Sequence, residues 1–141
     1  MAIDLEVCMS RLTVYLARLI GLFTVLLIVA LLLHGGAMVE SAIADKPLMF
    51  TYAIISLASG LALILGHNVW SGGALPVVVT LVGWLILAKG LVLLYLAPDA
   101  LTGMYGRMQY SEHFYLYLTP SLVLGLYLTW AGFSAPASRA S

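Results

Sequence analysis

Four long runs of apolar residues, separated by short polar segments, dominate the chain. They cover about residues 12–33, 48–66, 75–97 and 114–133, and the charges inside them are Arg18 and Lys89. A bilayer core about 30 Å thick is crossed by roughly 20 helical residues, so each run can form a transmembrane helix. Helices satisfy their backbone groups internally, and the alternating pattern typical of a membrane β-barrel is absent. The pattern predicts an all-α fold, a bundle of four transmembrane helices in one domain over residues 1–141.

The composition favours a membrane protein and excludes several other classes. Of 141 residues, 63% are hydrophobic and 9% are charged, whereas soluble domains are about half apolar and a quarter charged. Six basic residues balance six acidic ones, so no basic surface is available to bind nucleic acid. The single cysteine, Cys8, excludes a disulfide framework and a thiolate metal site within one chain.

The second and fourth spans share a spaced set of residues. Tyr52, Ser56, Leu57, Gly60, Leu61 and Leu63 recur at identical spacing as Tyr117, Ser121, Leu122, Gly125, Leu126 and Leu128. The first and third spans match more weakly, through Leu19 and Gly21 against Leu81 and Gly83, and chance is the alternative there. Two spans return the chain to the side of the membrane where it started, so both units have the same orientation. The pattern therefore predicts two parallel helical-hairpin repeats related by an axis along the membrane normal.

Small residues form stripes on three of the spans. Ser56 and Gly60 lie four residues apart on the second span, as do Ser121 and Gly125 on the fourth. Gly83 and Gly90 form a similar stripe on the third span. Such stripes let helices approach closely in lipid, so we interpret them as packing surfaces rather than a substrate path. We expect the second and fourth spans to pack centrally through these faces.

The distribution of basic residues sets an expected orientation. Arg11, Arg18 and Arg139 lie on the side of the two termini, and Lys46 and Arg107 lie on the other side. By the positive-inside rule both termini are expected in the cytoplasm, with the protein in the plasma (inner) membrane. The connecting segments, residues 34–47 and 98–113, are expected to be loops.

A local resemblance accompanies this pattern in the second and third spans. It is carried by the string Leu65-Gly66-His67-Asn68-Val69-Trp70, followed by Val79-Thr80, Gly83-Trp84, Lys89-Gly90 and Pro98. These residues, about a third of the chain, resemble a group of small bacterial four-span integral membrane proteins of unknown function. The resemblance implies a bacterial membrane location and a four-span topology, and it transfers no catalytic residue.

The three histidines are the candidates for a metal or haem ligand. His34 and His113 fall at the same end of the spans, and His67 falls at the other end. Imidazole suits several transition metals, but histidine is also common at membrane interfaces, so we expect no metal and no cofactor. His67 and Asn68 could line a gate or a headgroup pocket, although a closed helix end with Trp70 as an interface anchor is the preferred interpretation.

Lys89 is the most unusual residue of the spans. At 1.5 Å per residue it lies roughly 12 Å inside the third run, where a charge costs on the order of 2.5–3.5 kcal/mol. Our hypothesis is that Lys89 faces the bundle interior and pairs with a carboxylate, Glu40 and Glu112 being the best candidates, or with backbone carbonyls. The alternative is a lysine that extends to the lipid headgroups.

The expected function is therefore a membrane function without an identified reaction. No Ser-His-Asp set, phosphate-binding loop or zinc helix motif is present in the sequence. The pattern favours a non-enzymatic accessory or scaffold subunit of a membrane assembly, in contact with the lipid bilayer and with a larger complex or further copies of itself. The alternative is a minimal oligomeric transporter or channel with Lys89 lining the path, and an enzyme acting on lipid-like substrates comes third.

Overall fold

The computed structural model describes residues 11–109 and 112–135, and the elements in this part of the chain are helices. In chain order they are α1 (Arg11–His34), α2 (Gly36–Ala44), α3 (Lys46–Gly66), α4 (Ala74–Tyr95), α5 (Pro98–Arg107) and α6 (Phe114–Ser134). Four of them, α1, α3, α4 and α6, are long and apolar enough to span a membrane. The all-α fold and the four apolar spans are thus confirmed. Cys8 and Arg139 lie outside the described residues.

Local signals set the ends of the spanning helices. At the start of α3 the Asp45 carboxylate accepts a hydrogen bond from the Leu48 backbone N–H at 3.0 Å. Pro47 stands in that first turn, where the missing N–H leaves no helical bond unmade. α4 begins after Gly72 and Gly73, whose φ angles of 88° and 112° lie in the left-handed region that glycine tolerates. These residues close the tight turn of residues 67–73 between α3 and α4.

The two other connecting segments contain the short helices α2 and α5, so the expectation of loops there is wrong. α5 has Pro98 at its start, Asp99 in its first turn and Arg107 in its last turn, which suit the helix dipole. Helices this short are marginal alone, and packing supplies the rest of their stability. Leu101 of α5 is buried against α3 and α4, and Val39 of α2 packs against α1 and α6.

The four long helices form two antiparallel pairs, α3 with α4 and α1 with α6, and contacts of α1 and α6 with α4 join the pairs. The expected central packing of α3 against α6 is wrong, because each packs through its small residues on a different partner. We call α1, α2 and α6 the α1/α6 half, and α3, α4 and α5 the α3/α4 half. The end of the bundle with α2 and α5 is the α2/α5 face, and the end with residues 67–73 is the turn face.

The apolar core is shared between the halves at one end and divided at the other. Near the turn face, Ala17 of α1, Val79 and Val82 of α4 and Leu128 of α6 belong to one buried cluster. Toward the α2/α5 face there are two separate clusters. One holds Ile28, Phe114 and Leu118 of the α1/α6 half, and the other holds Ala53, Leu93 and Leu101 of the α3/α4 half. The halves therefore join near the turn face and separate toward the α2/α5 face.

The contacts between helices follow the sequence repeat. Residues of α1 and α2 correspond to α4 and α5 residues numbered 62 higher, and α3 residues to α6 residues numbered 65 higher. A Cβ on Gly60 would meet Leu87, and a Cβ on the equivalent Gly125 would meet Val25, the equivalent of Leu87. The two separated clusters correspond in the same way, as the following pairs show. Met49 matches Phe114, Ala53 matches Leu118, Leu31 matches Leu93 and Val39 matches Leu101.

The third helix of each repeat is exchanged between the halves. The first repeat supplies α1, α2 and α3, but α3 packs on α4 of the second repeat. The second repeat supplies α4, α5 and α6, and α6 packs on α1. Exchanging the two repeats therefore converts the α3/α4 pair into the α6/α1 pair. The repeat thus consists of three helices rather than a simple hairpin, and the two copies are interlocked.

Candidate functional site

A cleft of about 440 Å³ opens on the α2/α5 face, between the two short helices. It is lined by Glu40, Ile43, Ala44, Thr102, Tyr105, Gly106, Gln109 and Glu112. Six of these residues are three pairs of repeat equivalents: Glu40 with Thr102, Ile43 with Tyr105, and Ala44 with Gly106. Equivalent faces of α2 and α5 therefore meet across the cleft, which lies between the two repeats. We call it the axial cleft.

The carboxylates Glu40 and Glu112 reach the axial cleft from different elements. Glu40 is an exposed residue of α2, and its repeat equivalent in α5 is the neutral Thr102. Glu112 follows a turn in which Gln109 has a φ of 46° and its carbonyl accepts hydrogen bonds from the Glu112 and His113 N–H groups. The structure thus brings together two of the five candidate polar residues. Neither is the partner of Lys89.

Lys89 lies on the surface of the α3/α4 half and interacts with Tyr52. Its ammonium donates a hydrogen bond to the Tyr52 hydroxyl and lies 4.5 Å from the centre of the Tyr52 ring. Both side chains are exposed in the single chain. The expectation of a buried lysine paired with a carboxylate or with backbone carbonyls is therefore wrong. The Lys89 ammonium instead has the neutral phenol oxygen of Tyr52 as its hydrogen-bond acceptor.

The side chains of His67 and Asn68 both form hydrogen bonds at the turn of residues 67–73. His67 is buried, and its Nε2 donates to the Pro76 carbonyl at 3.3 Å. The Asn68 side-chain oxygen accepts a hydrogen bond of 2.8 Å from the Trp70 indole N–H. Thr80 of α4 closes the turn, because its hydroxyl donates to the Val69 carbonyl at 2.9 Å and accepts from the Val69 N–H at 3.0 Å. This is the geometry of a closed helix end.

A second polar contact at the turn face involves Arg18, the repeat equivalent of Thr80. The Arg18 Nε donates to the Gly132 carbonyl at 2.8 Å, and its guanidinium lies 4.8 Å from the centre of the Phe133 ring. In both repeats, therefore, the side chain at this position hydrogen-bonds to the backbone near the end of the neighbouring helix. Arg18 of α1 bonds to α6, and Thr80 of α4 bonds to the turn after α3. Sequence reasoning missed this role, although the register that aligns Gly21 with Gly83 also aligns Arg18 with Thr80.

Most of the predicted packing residues lie in close helix contacts. A Cβ on Gly60 would lie 2.5 Å from the Leu87 nitrogen, and one on Gly90 would lie 2.6 Å from the Leu57 nitrogen. Ser56 is buried beside this contact, and Gly83 and Gly125 face side chains at 3.0–3.1 Å. Ser121 differs, because it is exposed, and its assignment as a packing residue is wrong. Gly21 and Gly132 are close-contact glycines that were not singled out for packing.

The histidines at the α2/α5 face gain no further ligands. His34 ends α1, and His113 precedes α6; both are exposed. Within residues 11–109 and 112–135, no group of three or more His, Cys, Asp and Glu side chains is placed to hold a metal ion. On the same face, the Lys46 ammonium lies 3.9 Å from the Asp99 carboxylate, and both side chains are well exposed.

Comparison with known proteins adds no family to this description. The chain matches no protein-family model, and no curated protein or solved structure is significantly similar to it. The resemblance to small bacterial four-span membrane proteins therefore stays a prediction. What the fold and the site establish is a helical protein with four apolar helices of membrane-spanning length.

Proposed function

We propose that the protein is a non-enzymatic accessory or scaffold subunit that binds a partner at its α2/α5 face. The observation that carries this proposal is the axial cleft, a concave surface of about 440 Å³ formed by equivalent faces of α2 and α5. Its polar side chains lie at one end of otherwise apolar spans, where a partner subunit can reach them without leaving the membrane surface. The proposed location is the bacterial inner membrane, with both termini cytoplasmic.

The division of the core supports binding rather than conduction. Near the turn face the axis is occupied by the shared cluster, in which Val79 and Leu128 are almost completely buried. A solute entering the axial cleft would meet this close-packed layer. Packed interiors do not open without displacing side chains. A binding site that is open at one end fits the arrangement better than a path through one chain.

The charge of the axial cleft indicates the chemistry of the partner. Glu40 and Glu112 line it, together with the polar side chains of Thr102 and Gln109. A Lys or Arg side chain from a partner would be complementary to these carboxylates, and complementary charge gives specificity and register to an interface. We therefore infer that the partner presents a basic segment at the membrane surface.

A minimal oligomeric transporter or channel with Lys89 lining the path remains the second candidate. It is favoured by Lys89 itself, an exposed cation within an apolar helix of membrane-spanning length. In this second candidate function, another copy of the chain completes the transport path. Flux through proteoliposomes that is lost in Lys89→Met, with the oligomer intact, would favour this candidate over the first.

Photo-crosslinking tests the partner proposal. A photoreactive phenylalanine analogue placed at Tyr105, in the axial cleft, is expected to crosslink one partner protein in native membranes. The same analogue at Tyr95, exposed at the end of α4, is the control and should not give that product. Glu40→Gln with Glu112→Gln should weaken the crosslink from Tyr105, and Asp99→Asn should leave it unchanged. Identical products from Tyr105 and Tyr95, or none from Tyr105, would overturn the proposal.

A further inference from the structure

We propose that Lys89 and Tyr52 form a binding site for the phosphate of an anionic phospholipid on the membrane-exposed surface of the α3/α4 half. The ammonium of Lys89 donates a hydrogen bond to the Tyr52 hydroxyl and lies 4.5 Å from the centre of the Tyr52 ring. The two residues come from different helices, but each lies six residues from the helix end nearest the α2/α5 face: Lys46 for α3 and Tyr95 for α4. At 1.5 Å per residue this is a depth of about 9 Å for both backbones.

The donors of this pair are not used up by the chain. An ammonium group has three N–H donors, and a phenol oxygen that accepts one of them still has its own hydrogen to donate. Among the described residues, no carboxylate lies within 4.0 Å of the Lys89 ammonium, whereas Lys46 at the same face has Asp99 at 3.9 Å. Lys89 and Tyr52 therefore present two converging donors, one of them charged, to a group outside the chain.

The position of the pair selects the ligand. Both side chains are exposed, and the helices that carry them are apolar spans, so lipid reaches the pair directly. An unpaired charge inside an apolar span is energetically costly. A phosphate oxygen returns much of that energy through a short charge-assisted hydrogen bond. A phospholipid supplies this anion from within the bilayer, and its acyl chains cover the apolar surface around the pair.

The equivalent position in the other half provides an internal comparison. Tyr117 is the repeat equivalent of Tyr52, but the equivalent of Lys89 is Leu27, and the Tyr117 hydroxyl donates to the Met108 carbonyl at 3.0 Å. The α1/α6 half therefore has a leucine at the position where the α3/α4 half has the lysine. One site per chain is expected, on the α3/α4 half.

Native mass spectrometry of the full chain in detergent, titrated with phosphatidylglycerol or phosphatidylcholine, tests the proposal. The chain should bind one phosphatidylglycerol tightly. Lys89→Met should weaken this binding by roughly tenfold, the equivalent of one charge-assisted hydrogen bond, and Lys89→Arg should retain most of it. Tyr52→Phe should weaken binding by a smaller factor. The matched controls are Lys46→Met, a cation at the same face, and Tyr95→Phe, an exposed phenol on the same helix.

The outcomes separate the site from general attraction to anionic lipid. Unchanged binding in Lys89→Met, or an equal loss in Lys46→Met, would overturn the proposal, since either result means that the lipid is held elsewhere or by net charge alone. Circular dichroism of each variant keeps a folding defect from being read as a binding defect. Inorganic phosphate added at millimolar concentration distinguishes the source of the anion. Lipid binding that persists assigns the site to phospholipid, and full competition assigns it to free phosphate.

Discussion

Replacing Gly60 by alanine tests the glycine position, among the described residues, at which an added Cβ would come closest to a neighbouring helix. The added Cβ would lie 2.5 Å from the backbone nitrogen of Leu87 and 2.6 Å from its Cα. Carbon atoms in van der Waals contact are about 3.5–4.0 Å apart, so α3 and α4 must separate by about 1 Å. No rotamer change relieves this contact, because the neighbouring atoms belong to the backbone.

The magnitude follows from two opposing effects. Overpacking of a close contact costs about 1–3 kcal/mol, and the better helix propensity of alanine returns up to about 1 kcal/mol. We expect Gly60→Ala to lower the free energy of unfolding by about 1–2 kcal/mol. The matched control is Gly66→Ala in the same helix, where a Cβ meets nothing within 4 Å. That variant should be neutral or slightly stabilised.

The repeat adds an internal ranking to this prediction. At Gly125, the equivalent of Gly60, a Cβ would meet the Thr24 side chain at 3.0–3.1 Å and the Val25 side chain at 3.3 Å. Side-chain atoms can yield where backbone atoms cannot, so Gly125→Ala should destabilise less than Gly60→Ala. Unfolding in mixed detergent micelles, followed by tryptophan fluorescence, measures all three variants. Equal stability of Gly60→Ala and Gly66→Ala would refute the close packing of α3 on α4.

Three further predictions concern the ends of the bundle. Thr80→Val should destabilise the protein by about 1–3 kcal/mol in the same unfolding assay, because it removes both hydrogen bonds to Val69 and leaves the backbone groups unpaired; wild-type stability would contradict this. Arg18→Met should cost about 1–2 kcal/mol through loss of the bond to the Gly132 carbonyl, and Arg18→Lys, which lacks Nε, should not restore it. In a Cys8→Ser background, cysteines at Ser71 and Gln109 should react with impermeant reagents from opposite sides of the membrane, and labelling of both from one side would exclude the antiparallel arrangement.

Hydropathy predicted the spans because each span depends on its own residues alone. The crossing of a bilayer needs length and apolar character, which residues 46–66 or 74–95 carry without reference to any neighbour. The close contacts at Gly60 and Gly90 could also be predicted from the sequence, since a small residue inside an apolar helix lets a neighbouring helix approach closely. Which helices pack against each other could not be predicted from the sequence, because the pairs α3/α4 and α1/α6 depend on residues far apart in the chain.

Ser121 shows how a correct repeat leads to a wrong local conclusion. Its equivalent, Ser56, is buried because Gly90 of α4 allows the backbone of α3 to approach. The equivalent of Gly90 in α1 is Ile28, whose side chain packs against Phe114 and Leu118 of α6. Ser121 is exposed on this side of α6. The sequence carried the needed signal at position 28, on another helix.

The prediction of a carboxylate or carbonyl partner for Lys89 was wrong for a related reason. A lysine in an apolar span predicts a partner, but the sequence does not state which helix supplies it. Tyr52, 37 residues away, was noted for the repeat, and it is the partner. Carboxylates were favoured because they neutralise charge, whereas the observed partner is a phenol, whose oxygen accepts a hydrogen bond.

The exchange of α3 and α6 between the repeats bears on how the protein is made. The ribosome delivers α1 before the other described helices, and its partner α6 after them. α3 and α4 are separated by the short turn of residues 67–73 and can pair during translation. α1 must wait in the bilayer with the narrow stripe around Gly21 uncovered until translation of α6 is complete. Insertion machinery or a chaperone that shields α1 during this interval would protect the nascent chain from mispairing.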